Sequence, residues 1–311
     1  MRIPGHPSGH ATGHARGRAA VTWLVRVMVL PVALRTTRTT LAGVGRKRIK
    51  VGFRFSNNPL DALRSCREIE VAHIQRDDSG ATSLAPMPVA LITGASRGLG
   101  AAIAQELEST HRLLLGGRDA EALTPLADHL PNAQPWTVDL TDHDAVERAA
   151  REIEELDVLV HNAGFARIGS IEDTSLETWR TTMEVNLFAV VHLTRVLLPA
   201  LRRAGGHVVL INSGAGLRVN PGWSAYAASK FALRAFSDAL RAEEPSLRVT
   251  SIHPGRIDTD MQRAIVSAEG KDEYNPDDFL KTSTVALAVG NAIRTPRDAH
   301  PTEVILRPAR R

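Results

Sequence analysis

The segment VALITGASRGLG, residues 89–100, joins an aliphatic run to a glycine-rich turn. Residues 89–93 have the length and the continuous hydrophobicity of a strand that is buried on both faces. The glycines that follow permit close approach of a diphosphate, which the N-terminus of a helix beginning at Gly98 would hold through its free amides and its dipole. A strand, this turn and a helix in direct succession predict the first unit of a dinucleotide-binding sheet.

The alternation of strand and helix continues through the rest of the chain. Apolar runs of strand length alternate with amphipathic stretches of helix length, which is typical of a parallel sheet covered by helices on both faces. We predict an α/β fold with a single domain over residues 87–311, a doubly wound, parallel, seven-stranded sheet of the Rossmann type. The predicted strands are Val89–Thr93, Arg112–Gly116, Ala133–Val138, Val158–His161, His207–Asn212, Arg248–His253 and Glu303–Leu306. The predicted helices are Gly98–Ser109, Ala120–His129, Asp142–Glu155, Leu176–Ala204, Trp223–Glu243 and Asp277–Arg294.

Residues 1–86 have a composition of their own. They carry 14 Lys and Arg against 5 Asp and Glu, whereas residues 87–311 carry 24 against 29. The formal net charge of +4 therefore comes from the N-terminal segment, and the mildly acidic domain is not expected to bind nucleic acid. We predict that residues 1–86 are a basic, low-complexity extension, either disordered or placed upstream of the true start, and that the domain begins at Met87.

The extension contains an apolar run, Ala19–Leu34, which Arg26 and Pro31 interrupt. This run is shorter than the roughly 20 residues that a membrane-spanning helix needs, so we expect no membrane span. A membrane tether through residues 19–34 stays open as an alternative. The single cysteine, Cys66, excludes an intramolecular disulfide and a thiolate metal cluster. We therefore expect a cytoplasmic protein without a metal site.

Ser213, Tyr226 and Lys230 form a second informative pattern. Tyr226 and Lys230 lie four residues apart on one face of a predicted helix, where an ammonium beside a phenol favours the phenolate. Lowering the pKa of a phenol by roughly three units takes about 4 kcal/mol, so a second cation, such as an oxidised nicotinamide, is expected nearby. Ser213 follows a predicted strand, at the sheet edge where ligands of such folds bind. Each residue alone has a structural explanation, but together they favour a catalytic site.

The end of the second predicted strand bears on the choice of cofactor. A site for NAD usually has a carboxylate there, which holds the ribose 2′-hydroxyl. This chain instead has Gly116, Gly117 and Arg118. Arg118 and Arg97 would pair with a 2′-phosphate, unless both are solvated surface charges. We predict NADP(H) as the cofactor in preference to NAD(H).

Several motifs, in order, resemble the short-chain dehydrogenase/reductase family over residues 87–311. Residues 93–100 match its Thr-Gly-xxx-Gly-x-Gly turn, and residues 161–164 resemble its Asn-Asn-Ala-Gly motif, with His in place of the first Asn. The second Asn is the structural one in that motif. The resemblance implies a catalytic tetrad of Asn186, Ser213, Tyr226 and Lys230. It implies a cofactor site made of Gly94, Ser96, Arg97, Gly98, Leu99, Gly100, Arg118, Asp139, Leu140, Asn162, Ala163, Gly164, Tyr226, Lys230, Pro254, Gly255, Ile257 and Thr259.

The implied roles agree with the chemistry of the side chains. Tyr226 would be the general acid when a carbonyl is reduced and the general base when an alcohol is oxidised. Ser213 would hydrogen-bond the carbonyl oxygen and stabilise the developing alkoxide. Lys230 would lower the pKa of the tyrosine and bind the nicotinamide ribose. Asn186 would hold a water that links Lys230 to solvent.

Two members of the implied cofactor site have an alternative explanation. Asp139 resembles the acid that contacts adenine, and Thr259 belongs to the segment from Pro254 that resembles the family's holder of the nicotinamide carboxamide. Either side chain would serve equally well as a helix cap.

The expected substrate is a small, largely apolar carbonyl compound or secondary alcohol. Residues 256–275 would form a mobile lid over its pocket. The alternative function is a catalytically silent sensor of NADP(H). The resemblance also implies a homodimer or homotetramer that packs residues 176–204 and 223–243 across an interface. The apolar residues expected to line the pocket are Phe165, Leu217, Trp223, Met261 and Ile265. The alternative is that Trp223 and Met261 simply pack in the core or at that interface.

Overall fold

A computed structural model of the protein describes residues 74–76, 82–84, 87–271 and 273–309. The strands are β1 (Ile74–Arg76), β2 (Thr82–Leu84), β3 (Val89–Thr93), β4 (Arg112–Gly117), β5 (Ala133–Thr137), β6 (Val158–His161), β7 (His207–Ile211), β8 (Arg248–Pro254) and β9 (Glu303–Leu306). The helices are α1 (Gly98–Leu107), α2 (Ala120–His129), α3 (His143–Ala150), α4 (Leu176–Met183), α5 (Ala189–Ala204), α6 (Ser224–Glu243), α7 (Asp260–Ala268) and α8 (Thr282–Arg294).

Strands β3 to β9 form one parallel sheet in the order β5-β4-β3-β6-β7-β8-β9. The first strand of this sheet, β3, lies in its middle. The chain continues outward through β4 to β5, then returns to β6 beside β3 and continues outward on the other side to β9. This topology confirms the predicted doubly wound fold. The order reverses between β3 and β6, and ligands of such sheets bind beyond the carboxyl ends of the strands at that point.

Helices cover both faces of the sheet, and the side chains of β3 alternate between the two cores. Ala90 and Ile92 pack in the core beneath α1 and α8. Val89 and Leu91 pack in the opposite core with α3, α5 and α6. All five residues of β3 are buried, which explains why its sequence is apolar without alternation.

The segment upstream of the domain contains the two short strands β1 and β2, which pair antiparallel. Its other residues up to position 86 lie outside the described residues. The predictions made for the apolar run at residues 19–34 and for the low-complexity tract fall there and stay predictions, as does the domain boundary at residue 87.

The largest difference from the predicted elements lies in the segment expected to be a lid. Helix α7 occupies residues 260–268, where no helix was predicted. Thr259 caps it, with Oγ1 accepting a hydrogen bond from the amide of Gln262 at 3.3 Å, and Ile265 and Val266 are buried. Gly270, at φ +69°, follows the helix. Charged residues between these apolar positions obscure the helical pattern in the sequence.

Other predicted helices differ at their ends. The helix predicted to start at Asp277 begins at Thr282, after a 3₁₀ turn at Pro276–Asp278. Helix α3 ends at Ala150, before the predicted Glu155. The helix predicted over residues 176–204 is continuous but contains a π-helical segment at Glu184–Phe188.

The continuous helix from Leu176 to Ala204 is, in the described part of the chain, the one helix long and apolar enough to cross a membrane. Its side chains Leu193, Leu197 and Leu201 are buried in a core against the sheet. A core helix of this kind meets the same criteria of length and composition, so the helix does not by itself indicate a membrane span.

Two histidines in the core of the sheet are held in the neutral form. The hydroxyl of Thr194 donates to the Val190 carbonyl, so its oxygen accepts from Nε2 of His161 at 2.8 Å. Similarly, Thr250 donates to a main-chain carbonyl and accepts from Nε2 of His207 at 2.8 Å. Burial lowers the pKa of both histidines to about 3. Both therefore stay neutral in the folded protein at mildly acidic pH.

Acid is expected to destabilise the fold through these histidines. Below the unfolded-state pKa of 6.5, the unfolded chain binds protons that the folded chain does not take up, so stability falls progressively from pH 6.5 towards pH 3. Between pH 7 and pH 5, the free energy of unfolding should fall by about 2 kcal/mol for each of the two residues. Denaturant unfolding of the full chain at the two pH values measures this change.

His161→Gln separates the contribution of one histidine. Glutamine keeps an N–H donor for Thr194 but does not titrate, so the variant should lose about 2 kcal/mol of the pH dependence. His129→Gln, at an exposed position in α2, is the matched control. A pH dependence in His161→Gln equal to that of the unmodified protein would contradict the neutral, buried state of His161.

Candidate active site

The glycine-rich turn between β3 and α1 depends on the absence of side chains. Gly94 and Gly98 have φ values of +64° and +58°, which favour glycine. A Cβ on Gly94 would lie 2.9 Å from the Cα of Ala163, and one on Gly100 would lie 2.1 Å from the Gly94 carbonyl oxygen. No side chain among the described residues caps the N-terminus of α1. The turn thus presents main-chain amides at close range, which suits a diphosphate.

A hydrogen-bonded lock fixes this turn to the neighbouring strand. The hydroxyl of Thr93 accepts from the amides of Asn162 and Ala163 at 3.0 and 3.1 Å. In return, Nδ2 of Asn162 donates to the carbonyls of Thr93 and Gly94 at 2.9 and 3.0 Å. The lock joins the carboxyl ends of β3 and β6, where the strand order reverses.

A cleft of about 1170 Å³ opens beyond the carboxyl ends of these strands. Every residue of the predicted cofactor site lines it except Gly100, which packs beneath the turn. Of the predicted tetrad, Ser213, Tyr226 and Lys230 line it, whereas Asn186 does not. Of the predicted apolar pocket, Leu217 alone is outside the lining. The structure therefore brings together nearly all residues that the sequence singled out.

Tyr226 and Lys230 lie on the buried face of α6. Nζ of Lys230 donates to the carbonyl of Ile211, at the end of β7, at 2.9 Å and lies 5.8 Å from the centre of the Tyr226 ring. Ser213 lies two residues after the end of β7 and hydrogen-bonds the Tyr226 hydroxyl. The serine hydroxyl also accepts from the amide of Ala215 at 3.1 Å. The three side chains therefore meet at the inner end of the cleft.

Burial opposes the charged forms of both titratable groups. It raises the pKa of Tyr226 above its ordinary value of 10.0, and the hydrogen bond from Ser213 lowers it to a smaller extent. Burial also lowers the pKa of Lys230 to about 8. The pKa of the Tyr226 phenol therefore lies above its ordinary value, although a lowering was expected from the nearby lysine. A further cation beside the phenol would favour the phenolate.

Asn186 lies in the π-helical segment and serves as a buried connection. Its Oδ1 accepts from the amide of Phe165 at 2.8 Å, and its Nδ2 donates to the Phe165 carbonyl at 2.8 Å and to Oγ of Ser229 at 3.0 Å. Both amide hydrogens are therefore used within the protein. The Asn186 amide group therefore has no hydrogen left for the water expected to link Lys230 to solvent. A main-chain carbonyl oxygen of the π-helical segment would have to bind that water.

The arginines expected at a 2′-phosphate lie at the outer part of the cleft. Arg97 is exposed and forms an ion pair with Asp260, the first residue of α7, at 3.4 Å. Asp139 accepts from the amide and hydroxyl of Thr141 at 2.9 and 2.8 Å. These bonds, the amide first, lower the pKa of Asp139, and the charge of Arg118 lowers it further. Asp139 is therefore not a helix cap, whereas Thr259 is.

Sequence reasoning missed several residues of this site. Asn212 accepts from the Ser213 amide at 2.8 Å and donates to the carbonyl of Lys230 at 3.2 Å, which connects the end of β7 to α6. A single polar residue closing an apolar strand was the available signal. Arg218 and Arg307 also line the cleft, and their sequence positions gave no signal.

The comparisons with known proteins agree with this geometry. A family model described as short chain dehydrogenase matches residues 88–270. The chain belongs to the short-chain dehydrogenase family. The family predicted from the motifs is thereby confirmed.

Curated relatives of this short-chain dehydrogenase include proteins from animals and yeast. It is 45% identical over 200 residues to the dehydrogenase/reductase SDR family member 7B of Bos taurus. The aligned residues cover 58% of this chain and 62% of the bovine protein. It is 34% identical over 213 residues to an uncharacterized oxidoreductase of Schizosaccharomyces pombe, which covers 64% of this chain and 85% of that protein. The chain thus spans less than two thirds of the bovine relative.

Solved structures of other dehydrogenases share the fold. An alcohol dehydrogenase from the archaeon Thermococcus sibiricus, complexed with 5-hydroxy-NADP, is 30% identical with a TM-score of 0.67, over 73% of this chain and 99% of that one. A serine dehydrogenase complexed with NADP⁺ is 26% identical with a TM-score of 0.63, over 70% and 93% of the two chains.

Removing the lock at the turn should affect both stability and cofactor binding. Asn162→Ala deletes two hydrogen bonds to main-chain carbonyls, so the free energy of unfolding should fall by about 1–3 kcal/mol. The affinity for NADPH should fall about tenfold or more, because the turn is no longer held open for the diphosphate. Denaturant unfolding and fluorescence titration with NADPH measure the two effects.

The matched control is Asn132→Ala, at an exposed position before β5. It should leave both quantities unchanged. Unchanged NADPH affinity in Asn162→Ala would show that the lock does not shape the cofactor site.

Proposed function

We propose that this short-chain dehydrogenase is an NADP(H)-dependent oxidoreductase that acts on the carbonyl or secondary alcohol of a small substrate with a largely apolar body. The observation that carries the proposal is the meeting of Ser213, Tyr226 and Lys230 at the inner end of the cleft that the glycine-rich turn also lines. Phe165, Trp223, Met261 and Ile265 lie in the same lining and support an apolar substrate body.

Ser213, Tyr226 and Lys230 have separate roles in the proposed carbonyl reduction. When bound, the cofactor would supply the hydride that adds to the carbonyl carbon. Ser213 hydrogen-bonds the carbonyl oxygen, and Tyr226 delivers the proton that turns the developing alkoxide into an alcohol. Lys230, anchored on the Ile211 carbonyl, places its positive charge beside the phenol as the proton leaves. Alcohol oxidation runs through the same residues in reverse.

The preference for NADP(H) rests on charge at the end of β4. Gly116 and Gly117 provide no carboxylate for a ribose 2′-hydroxyl, and Arg118 lines the cleft directly after them. Arg97 supplies a second guanidinium, which exchanges its partner Asp260 for the 2′-phosphate. The NADP-type ligands of the solved relatives named above agree with this preference.

We also propose a cytoplasmic homodimer or homotetramer that packs the helix at residues 176–204 and α6 across an interface. Phe188 and Phe231, on these two elements, are 50% and 40% exposed, and burial of both rings against a partner would support such an interface.

Replacing the arginine at the end of β4 should affect one cofactor only. Arg118→Ala should weaken NADPH binding about tenfold and change NADH binding little, because a charge-assisted hydrogen bond to the 2′-phosphate is lost. Arg112→Ala, at the opposite end of the same strand, is the control. Equal losses for both cofactors, or tighter binding of NADH by the unmodified protein, would contradict the preference.

The deciding experiment for the function is NADPH oxidation by the full chain against a panel of aldehydes, ketones and quinones. Tyr226→Phe should abolish turnover while NADPH still binds. The chain has a second tyrosine, Tyr274, whose hydroxyl bonds Asp258 at 2.7 Å outside the cleft lining, and Tyr274→Phe should retain turnover. Turnover that survives in Tyr226→Phe would remove Tyr226 from its role. NADPH binding without any turnover would favour the sensor function.

A further inference from the structure

Two arginines stand beside the reactive end of the cleft without a carboxylate partner. Arg307 follows β9 and Arg218 follows the turn after Ser213, and both line the cleft. Neither forms an ion pair with an acidic side chain in the described part of the chain. Since guanidinium groups are permanently charged, these two positive charges are not neutralised within the site.

The guanidinium of Arg307 is held in a defined place. Its Nη1 donates to the carbonyls of His253 and Leu306 at 3.0 and 2.9 Å. A Cβ on Gly214 would lie 3.4 Å from each of three atoms of Arg307, namely Cζ, Nη1 and Nη2. Because the three distances are equal, the face of the guanidinium plane lies over Gly214, the residue after Ser213. Both main-chain bonds use Nη1, and in the described part of the chain Nη2 and Nε make no hydrogen bond. Arg307 is thus a fixed cation adjoining the serine proposed to bind the carbonyl.

The acidic side chains of the cleft lining already have partners. The acidic residues of the lining are Asp139, Asp260 and Glu269. Asp139 bonds Thr141, Asp260 pairs with Arg97, and Glu269 pairs with Arg256 at 2.8 Å.

The basic residues of the lining are twice as many as the acidic ones. They are Arg97, Arg118, Arg218, Lys230, Arg256 and Arg307. Arg97, Arg118 and Lys230 are assigned to the cofactor and Arg256 to Glu269. Arg218 and Arg307 are the two cations of the lining that have neither assignment.

We propose that the substrate carries an anionic group, a carboxylate or a phosphate-type group, which Arg307 and Arg218 bind while the apolar lining holds the body of the molecule. This inference rests on the proposed carbonyl reduction and adds the chemical class of its substrate. Arg307 is a specificity-determining residue in this arrangement, because a planar fork of N–H donors matches a carboxylate or phosphate edge.

The test compares charged substrates with neutral ones of the same shape. The full chain, loaded with NADPH, is assayed with 3-oxobutanoate, 4-oxopentanoate and 5-oxohexanoate, each against its methyl ester. A 2-oxoalkyl phosphonate and its diethyl ester form a second arm, which distinguishes a carboxylate from a phosphate-type group. The acid of at least one pair should have a kcat/KM about 10- to 100-fold above its ester, and added salt should reduce that ratio.

Variants assign the preference to the two arginines. Arg307→Gln keeps an N–H donor for the main-chain carbonyls but removes the charge, and Arg218→Ala removes the second cation. Each should reduce the acid-to-ester ratio about tenfold, mainly through KM, and Arg307→Lys should recover part of it. Arg148→Ala, at an exposed position of α3 outside the cleft, should leave the ratio unchanged.

The outcomes separate this inference from the proposed function. Esters reduced as well as their acids would overturn the anionic substrate and leave carbonyl reduction intact. If no compound is turned over, quenching of bound NADPH fluorescence by the acids is measured instead. Quenching that Arg307→Gln loses would support the anion site without the reaction, and no quenching by any acid would overturn it.

Discussion

The site depends on a short set of hydrogen bonds between the ends of β3 and β6. The side chains of Thr93 and Asn162 make four hydrogen bonds to main-chain groups of residues 93, 94, 162 and 163, at both strand ends and in the glycine-rich turn. Where a strand ends, its main-chain amides and carbonyls no longer pair with a neighbouring strand. When such groups are buried, they need other hydrogen-bond partners. Supplying them from two side chains fixes the turn in the open conformation that Gly94 and Gly98 permit. The position of α1, and with it the cofactor cleft, follows from this lock.

The chemistry depends on a second constraint, the burial of Tyr226 and Lys230. Both side chains are at least nine-tenths buried, and burial disfavours the phenolate and the ammonium alike. The protein compensates only in part, through Ser213 for the tyrosine and the Ile211 carbonyl for the lysine. A further cation in the cleft would favour the phenolate of Tyr226. In the proposed reaction, an oxidised nicotinamide would supply that positive charge at the step where the phenol loses its proton.

Local patterns in the sequence predicted the parts of this protein that depend on local structure. The turn at residues 93–100, the seven strands and the i,i+4 pair on α6 follow from periodicity and glycine placement, and the structure places them together. The π-helical segment around Asn186 and the helix α7 were missed, because tertiary packing selects them over the simpler pattern. The contact of Arg307 with Gly214 joins residues far apart in the chain, and no local pattern reports such a contact.

Ultraviolet difference titration of the Tyr226 phenol would test most directly how the site controls proton transfer. In the full chain carrying Tyr274→Phe, Tyr226 is the sole tyrosine, so the phenolate signal belongs to one residue. We expect a pKa above 10.0 in the free protein and a fall of about two units or more when NADP⁺ is bound. A pKa already below 10.0 in the free protein, or one that NADP⁺ leaves unchanged, would contradict the control of Tyr226 by burial and by the cofactor's charge.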